Sequence, residues 1–317
     1  MRSQGAAEVP KVHQCWAVHE IPPDLIGVPF TIRDAARLGI SQRVLAGSRF
    51  RRILRGVYLT SDQPVTTQVL ARAALLVAPP GSIITGVTAL QLYGVEVGSA
   101  LPIRLASAHP HPVRRSELRV SRVGAVPAAE HRVCQPGPAL LDACAELTLL
   151  EAVTAGDQLI RERKLRPSLL TSDALELTGR GSRQARRVAG LVREDVDSAR
   201  ETRLRLCLVL AGLPEPSVNR TLRSSDDAGH RDLLYREFKL VLEYEGDHHR
   251  VDRRQWDIDI GRNEAAAIDG WLVIRVTNRR ISRPRGLVRS VYQRLVERGY
   301  LGPPPNFSAE WQRFFES

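Results

Sequence analysis

The chain has 317 residues, of which 43% are hydrophobic and 26% are charged, the balance of a soluble globular protein with substantial cores. Lysine and arginine outnumber aspartate and glutamate by 46 to 35, and the resulting net charge of +11 favours a polyanionic partner, nucleic acid before membrane. Four scattered cysteines argue against a zinc site or a disulfide framework, and the lack of a secretory signal or a membrane-length apolar run predicts a cytoplasmic protein with no membrane partner.

The first periodic stretch predicts two short helices joined by a tight glycine turn. Thr31 is a candidate N-cap with Asp34 three residues later, and Ser41 is placed to cap the second helix. Residues 50–59 then predict a two-stranded wing that bends at Gly56. Guanidinium groups beside such a helix pair suit phosphate contact, and the alternative is a small basic domain that docks on the rest of the chain. The candidate DNA-contacting residues are Arg43, Arg49, Arg51, Arg52 and Arg55.

This pattern, including the closing Arg55-Gly56-Val57-Tyr58, is similar to the winged helix-turn-helix of AbiEi-type antitoxins of abortive-infection systems. The similarity covers about residues 28–60, and the middle of the chain resembles the rest of the antitoxin architecture. The resemblance implies that the N-terminal half contacts DNA. It also implies a partner in a toxin–antitoxin or defence system.

The middle of the chain predicts several helices and strands but no catalytic constellation. A long helix is expected over residues 67–77, and strands are expected near residues 103–105 and 118–123. His109 and His111 lie beside prolines, a pattern more typical of an exposed loop than of a metal clamp. The Ser/Gly/Arg-rich stretch within residues 171–197 favours a solvated linker ahead of a further helix, and a phosphate-facing helix is the alternative for its basic run.

The most informative stretch, residues 231–249, predicts two short strands joined by a polar turn. Because side chains alternate along a strand, one face of the second strand carries Lys239, Val241, Glu243 and Glu245. Asp232 lies on the first strand, and Val241 indicates that the acidic face is partly buried. Carboxylates gathered in such a place repel one another unless a cation joins them, and oxygen ligands suit Mg²⁺ or Mn²⁺. The alternative is the solvated face of an amphipathic strand.

An Asp on one strand followed by Glu-x-acid on the next resembles the PD-(D/E)XK nuclease superfamily. The wider frame, about residues 195–298, is similar to the branch related to very-short-patch repair endonucleases. The resemblance implies metal-dependent phosphodiester hydrolysis, with Asp232 and Glu243 as metal ligands. It implies that Glu201 is a helix-borne acid beside the metal, for which capping of its own helix is the alternative. It makes Glu245 a ligand or a water-orienting group, although many family members have Lys at that position.

The missing lysine leaves its role to Lys239, Arg262 or a histidine. Arg262 is expected to contact phosphate, with an ion pair within its helix as the alternative. His248 and His249 follow the second strand and could act as acid or base because imidazole titrates near neutrality; surface histidines after a glycine turn are the alternative. Residues 271–276 predict a buried central strand, and the arginines of residues 279–285 predict a basic loop at its exit.

These patterns predict an α/β (α+β) chain in three parts. Residues 1–62 form an N-terminal arm and winged helix-turn-helix, residues 63–194 an antitoxin-like α/β middle region and linker, and residues 195–317 a restriction-endonuclease-like α/β domain with a central mixed sheet. The expected function is DNA binding joined to a Mg²⁺- or Mn²⁺-dependent endonuclease. The alternative is a non-catalytic DNA-binding regulator or antitoxin with a degenerate nuclease fold. RNA stays open as a substrate because carboxylate–metal chemistry is indifferent to the sugar.

Overall fold

The computed structural model of the chain describes residues 20–220, 231–245 and 269–316. Within these ranges the architecture is mixed α/β, as the sequence predicts, and its strands form three sheets of three, five and four strands. Among the described helices, none combines the length and the apolar character needed to cross a bilayer.

The N-terminal part is a three-stranded antiparallel sheet with two short helices. Its elements are a 3₁₀ turn (Pro23–Leu25), β1 (Phe30–Thr31), α1 (Ile32–Arg37), α2 (Gln42–Leu45), β2 (Phe50–Leu54) and β3 (Val57–Thr60), with the sheet order β1-β3-β2. The predicted caps are confirmed: Thr31 and Asp34 form a reciprocal capping box, and the Ser41 hydroxyl accepts from the Val44 amide at 3.4 Å. Gly56 makes the predicted bend between β2 and β3 with a φ of 76°.

The middle part is a five-stranded mixed sheet surrounded by helices, in the order β6-β5-β4-β8-β7. Its elements are α3 (Thr67–Val77), β4 (Ile83–Ile84), α4 (Gly86–Leu92), β5 (Ile103–Ser107), β6 (Leu118–Arg122), β7 (Ala129–Glu130), β8 (Val133–Cys134), α5 (Pro136–Ala143), α6 (Leu149–Arg161), α7 (Pro167–Glu176) and α8 (Ser182–Leu191). The Ser/Gly/Arg-rich stretch joins α7 to α8 with residues 178–180 exposed, and the helix predicted after it is α8. Leu170 and Val188 of α7 and α8 are fully buried because these helices pack against each other and against the core.

The C-terminal part is a four-stranded sheet in the order β12-β11-β10-β9. Its elements are α9 (Ala199–Val209), β9 (Ser217–Arg220), β10 (Arg231–Tyr235), β11 (Leu240–Glu245), β12 (Leu272–Thr277), α10 (Asn278–Ile281), α11 (Pro284–Glu297) and α12 (Ala309–Phe315). In the described sheet β12 is an outer strand, so its prediction as a central strand is wrong. The apolar run misled because the inward residues Ile274 and Val276 are buried, whereas their neighbours are half-buried. The basic loop is likewise shorter than predicted, because α10 occupies its first turn.

Two hydrophobic clusters hold the described parts together. A small one around Phe30, Ile40 and Phe50 lies within the N-terminal part. The large one is a single cluster of described residues between Leu54 and Phe315, so the middle and C-terminal parts share one core. Helix α9 lies at the centre of this core and is buried on nearly every side, since the middle part, the C-terminal sheet and α12 all cover it.

Candidate active site and basic surface

The pairing of β10 with β11 brings the two predicted metal ligands side by side. Leu233 pairs with Leu242 in the antiparallel register, so the next residues outward, Asp232 and Glu243, are cross-strand neighbours. The Tyr244 amide donates to Asp232 Oδ2 at 2.6 Å, which fixes this carboxylate against β11. The geometry follows from sequence, because directly opposite residues in an antiparallel pair lie on one face.

The face that carries these carboxylates is closed at one end and open at the other. Leu234 and Val241, the next pair along the same face, are almost completely buried, with exposed fractions of 1% and 0%. Asp232 and Glu243 are half-buried. The prediction that Val241 marks a partly buried acidic face is therefore confirmed.

Burial and neighbouring charges both act on Asp232. Burial raises the pKa of this carboxyl to about 6, the Tyr244 hydrogen bond opposes the rise, and the carboxylates of Glu201, Glu243 and Asp197 add to it. A carboxyl ordinarily ionises near pH 4, so the site holds negative charge at an energetic disadvantage. A bound cation would remove that disadvantage.

Glu201 lies at the start of α9 and caps its own helix. Its Oε1 accepts from the Ser198 hydroxyl at 2.9 Å, and its Oε2 accepts from the Asp197 amide at 3.1 Å. The Ser198 hydroxyl in turn accepts from the Glu201 amide at 3.2 Å. The capping alternative is thus realised, yet the same carboxylate is close enough to raise the pKa of Asp232. Glu201 borders the site and is held by its own helix.

The remaining candidates near this edge divide between described and undescribed positions. Glu245 ends β11, where its backbone pairs with Thr277 of β12. His248, His249 and Arg262, and the side chain of Glu245, lie outside what the structure describes. Lys239 lies in the turn before β11, and its Nζ donates to the Asp269 carbonyl at 3.0 Å, so it is engaged away from the carboxylates.

The described residues fit a divalent cation in part. Asp232 and Glu243 supply adjacent carboxylate oxygens, the donor type that Mg²⁺ and Mn²⁺ prefer, and a bound cation would oppose both causes of the raised pKa of Asp232, burial first and neighbouring carboxylates second. Within residues 20–220, 231–245 and 269–316, no three acidic, histidine or cysteine side chains form a metal-binding group. These two carboxylates are the part of a ligand set that the described chain provides.

A fully buried ion pair, which the sequence analysis missed, supports the helix that carries Glu201. Arg205, one turn further along α9, donates to Asp157 of α6 at 3.0 Å and to Glu215 at 3.1 Å. Asp157 also accepts from the Thr202 hydroxyl at 2.8 Å and from the Arg193 amide at 2.7 Å. The middle part therefore fixes the rotation of α9 about its axis. An Asp on the buried face of α6 was the available signal.

The predicted basic surface is largely accessible. Arg43, Arg51, Arg52 and Arg55 are exposed, and Arg49 is half-buried. The Arg51 guanidinium donates to the Gln63 carbonyl, which orients it beside the end of β3. These positions make the surface of the N-terminal part cationic.

The tip of the β2–β3 hairpin is fastened to the middle part. The Arg55 amide donates to Glu117 Oε1 at 2.9 Å, and Arg115 Nη1 donates to the Arg55 carbonyl at 2.7 Å. Leu54 and Val57, on either side of the tip, belong to the large core. The docking alternative thus holds for the tip, while α2 and the exposed arginines of β2 stay accessible. Sequence separation of about sixty residues concealed these contacts.

Comparisons with known proteins add no relative: no protein-family model, curated protein or solved structure matches the chain.

Proposed function

We propose that the chain is a metal-dependent nuclease that binds DNA through its basic N-terminal part. It hydrolyses phosphodiester bonds at Asp232 and Glu243, at the open end of the β10–β11 pair. The observation that carries the proposal is the placement of Asp232 beside Glu243, with the pKa of Asp232 raised by burial and by neighbouring carboxylates. A carboxylate whose pKa is strongly raised, beside a second carboxylate, is typical of catalytic and metal sites.

In this proposal Asp232 and Glu243 hold Mg²⁺ or Mn²⁺, and Glu245, at the end of the same strand, is the candidate third ligand. A cation bound there would neutralise charge on a phosphoryl oxygen and lower the pKa of a coordinated water. The Tyr244 amide keeps Asp232 oriented, and the cap of α9 keeps Glu201 beside it as a further negative charge. His248 and His249, which follow the strand, are proposed for proton transfer, and Arg262 for phosphate contact.

The decisive experiment is cleavage of plasmid DNA and of a matched RNA with Mg²⁺ or Mn²⁺. Asp232→Asn keeps the shape of the side chain but removes its charge, so it should abolish cleavage while the circular dichroism spectrum is unchanged. The matched control is Glu237→Gln, which removes an exposed carboxylate from the turn of the same hairpin and should cleave like wild type. Equal activity of the two variants would refute the nuclease.

A second candidate is a non-catalytic DNA-binding regulator of the antitoxin kind. It is favoured by the engagement of Glu201 in capping its own helix. It is also favoured by the N-terminal part, in which two capped helices follow β1 and precede the β2–β3 hairpin of the same sheet. This order of elements is similar to that of a winged helix-turn-helix, a similarity that supports the proposal of DNA contact under either candidate.

The regulator would bind DNA without cutting it. Replacing Arg51, Arg52 and Arg55 by Ala should flatten the dependence of log K on log salt by about 0.9 for each lost phosphate contact. The matched control replaces three exposed arginines of the middle part, Arg163, Arg166 and Arg180. An unchanged slope in the variant that lacks Arg51, Arg52 and Arg55 would contradict DNA contact by these three arginines.

A further inference from the structure

A groove runs along the outer side of β12, next to the candidate site. It has a volume of about 500 Å³, and its floor and walls come from β12, α10 and α11. The residues that line it are Leu272, Val273, Ile274, Arg275, Arg280, Ser290 and Arg294. Among the described residues, the lining thus contains three guanidinium groups and no carboxylate.

The arginines are held in a way that prepares the groove for an anion. Arg280 donates to the Arg275 carbonyl at 2.9 Å and to the Ser290 hydroxyl at 3.2 Å, so its guanidinium plane is fixed before any ligand arrives. A guanidinium has five N–H donors, and two contacts leave it capacity for a bidentate oxyanion. A hydroxyl that accepts one hydrogen bond can still donate its own hydrogen, so Ser290 can contribute as well.

Arg294 completes the cationic wall from α11. It lies one helical turn after Ser290, and the two side chains therefore lie on the same face of that helix. Its Nη1 donates to Glu297 at 2.7 Å, with the arginine side chain 50% exposed. An exposed pair of this kind is weak, so the guanidinium can turn towards a ligand at little cost.

The groove continues the line of the candidate carboxylates. In the parallel register of β11 and β12, Arg275 lies directly opposite Glu243, whose other neighbour is Asp232. Neighbouring strands lie about 4.8 Å apart, so the cationic wall begins within about one strand of the acidic edge. A polymer with regularly spaced phosphates could contact both the carboxylate site and the groove, whereas a small anion could occupy the groove alone.

We propose that the β12–α11 groove binds phosphates of a nucleic-acid backbone next to the bond placed at the carboxylates, with Arg280, Arg294 and Ser290 as the contacts. This inference rests on the proposed function, because it supplies that site with its substrate track. The occupant is a phosphodiester chain, either DNA or RNA, and not an anionic membrane or an acidic peptide. Two observations favour this occupant: the charge of the groove is complementary to phosphate, and the groove adjoins Asp232 and Glu243.

The test measures binding separately from cleavage. The full-length chain is titrated in EDTA, which prevents metal-dependent hydrolysis, into labelled DNA and RNA duplexes of one sequence, and fluorescence anisotropy is followed across salt concentrations. Arg294→Ala should lower affinity about eightfold at 0.1 M salt and reduce the salt slope by about 0.9, as loss of one phosphate contact requires. Ser290→Ala keeps the charge, so it should weaken binding while the slope is unchanged.

The matched control is Arg313→Ala, which removes another exposed arginine from α12, away from the groove. Its affinity should stay within twofold of wild type. Equal affinities and slopes for Arg294→Ala and Arg313→Ala would overturn the groove, as would Arg294-dependent binding to phosphatidylserine vesicles or a polyglutamate peptide without binding to either duplex. Arg294 dependence in either duplex supports it, and the tighter duplex identifies the sugar.

Failure of the groove and failure of the nuclease give different results. If wild type cleaves plasmid and Asp232→Asn does not, while Arg294→Ala binds normally, the nuclease stands and the groove is rejected. If no metal supports cleavage but duplex binding depends on Arg294, the groove stands as part of a non-catalytic binding protein.

Discussion

The buried ion pair between α6 and α9 makes a specific prediction about stability. Replacing Asp157 by leucine leaves the Arg205 guanidinium, whose side chain is 0% exposed, with Glu215 as its remaining carboxylate partner among the described residues. The same change removes the acceptor of the Thr202 hydroxyl and of the Arg193 amide. One substitution therefore removes one of two carboxylate partners of a buried cation and the carboxylate acceptor of two further donors.

The magnitude follows from these contacts. Removing one partner of a buried pair costs roughly 3–5 kcal/mol, so Asp157→Leu should lower the free energy of unfolding by about 4 kcal/mol. Arg205→Met should cost about 3 kcal/mol, because Asp157 keeps its contacts with Thr202 and Arg193. The double variant, Asp157→Leu with Arg205→Met, removes both buried charges. It should be more stable than the sum of the single losses by about 3 kcal/mol, the upper end of measured couplings.

The assay is urea unfolding followed by tryptophan fluorescence, since Trp311 is buried against α9. Glu297→Gln is the control. It breaks an exposed pair with Arg294, in which the two side chains are 50% and 56% exposed, and should change stability by less than about 0.5 kcal/mol. Single losses below about 1 kcal/mol, or strict additivity in the double variant, would refute the assigned role of the pair.

Two further predictions concern packing and pH. Gly156→Ala should destabilise the protein by about 1–3 kcal/mol, because its new Cβ would lie 2.5 Å from Val192 Cγ1. Gly190→Ala, in open space on a helix, should stabilise the protein by about 0.5–1 kcal/mol. Urea midpoints of the two variants that shift in the same direction would contradict this pair of predictions. Because the folded pKa of Asp232 is raised to about 6 from 3.8, the folded state keeps a proton that the unfolded chain has lost. In EDTA the free energy of unfolding of wild type, relative to that of Asp232→Asn, should therefore decrease by roughly 2–3 kcal/mol as the pH rises from about 4 to about 6. Melting temperatures of the two proteins that change in parallel with pH would argue against the raised pKa.

Features encoded by neighbouring residues could be predicted from the sequence. The caps at Thr31 and Ser41 depend on side chains three residues apart, and the β10–β11 hairpin depends on alternation within one short stretch. Val241 correctly indicated a half-buried acidic face, because one residue reports on its whole side of a strand. These signals were sufficient to place Asp232 and Glu243 together.

Features that join distant parts of the chain could not be predicted in the same way. The contact of Glu117 with the hairpin tip and that of Asp157 with Arg205 depend on how the parts pack, and neither leaves a periodic pattern. The position of β12 was mistaken for a related reason. An apolar run reports that a strand has buried neighbours on its faces, but it does not report whether a further strand pairs with its edge.

The segment that covers α9 affects how the protein is made as well as how it is held. The Trp311 indole donates to the Cys207 carbonyl across 104 residues of chain, the Asn306 amide donates to the Ala211 carbonyl, and Glu310 pairs with Arg187 of α8. During synthesis α9 emerges from the ribosome long before these partners do, so the side of α9 that they cover stays exposed for about a hundred residues of translation, although the middle part can already cover the other side. Nascent chains are prone to association over such an interval, and a chaperone that binds apolar helices would find α9 accessible until residues 306–315 arrive.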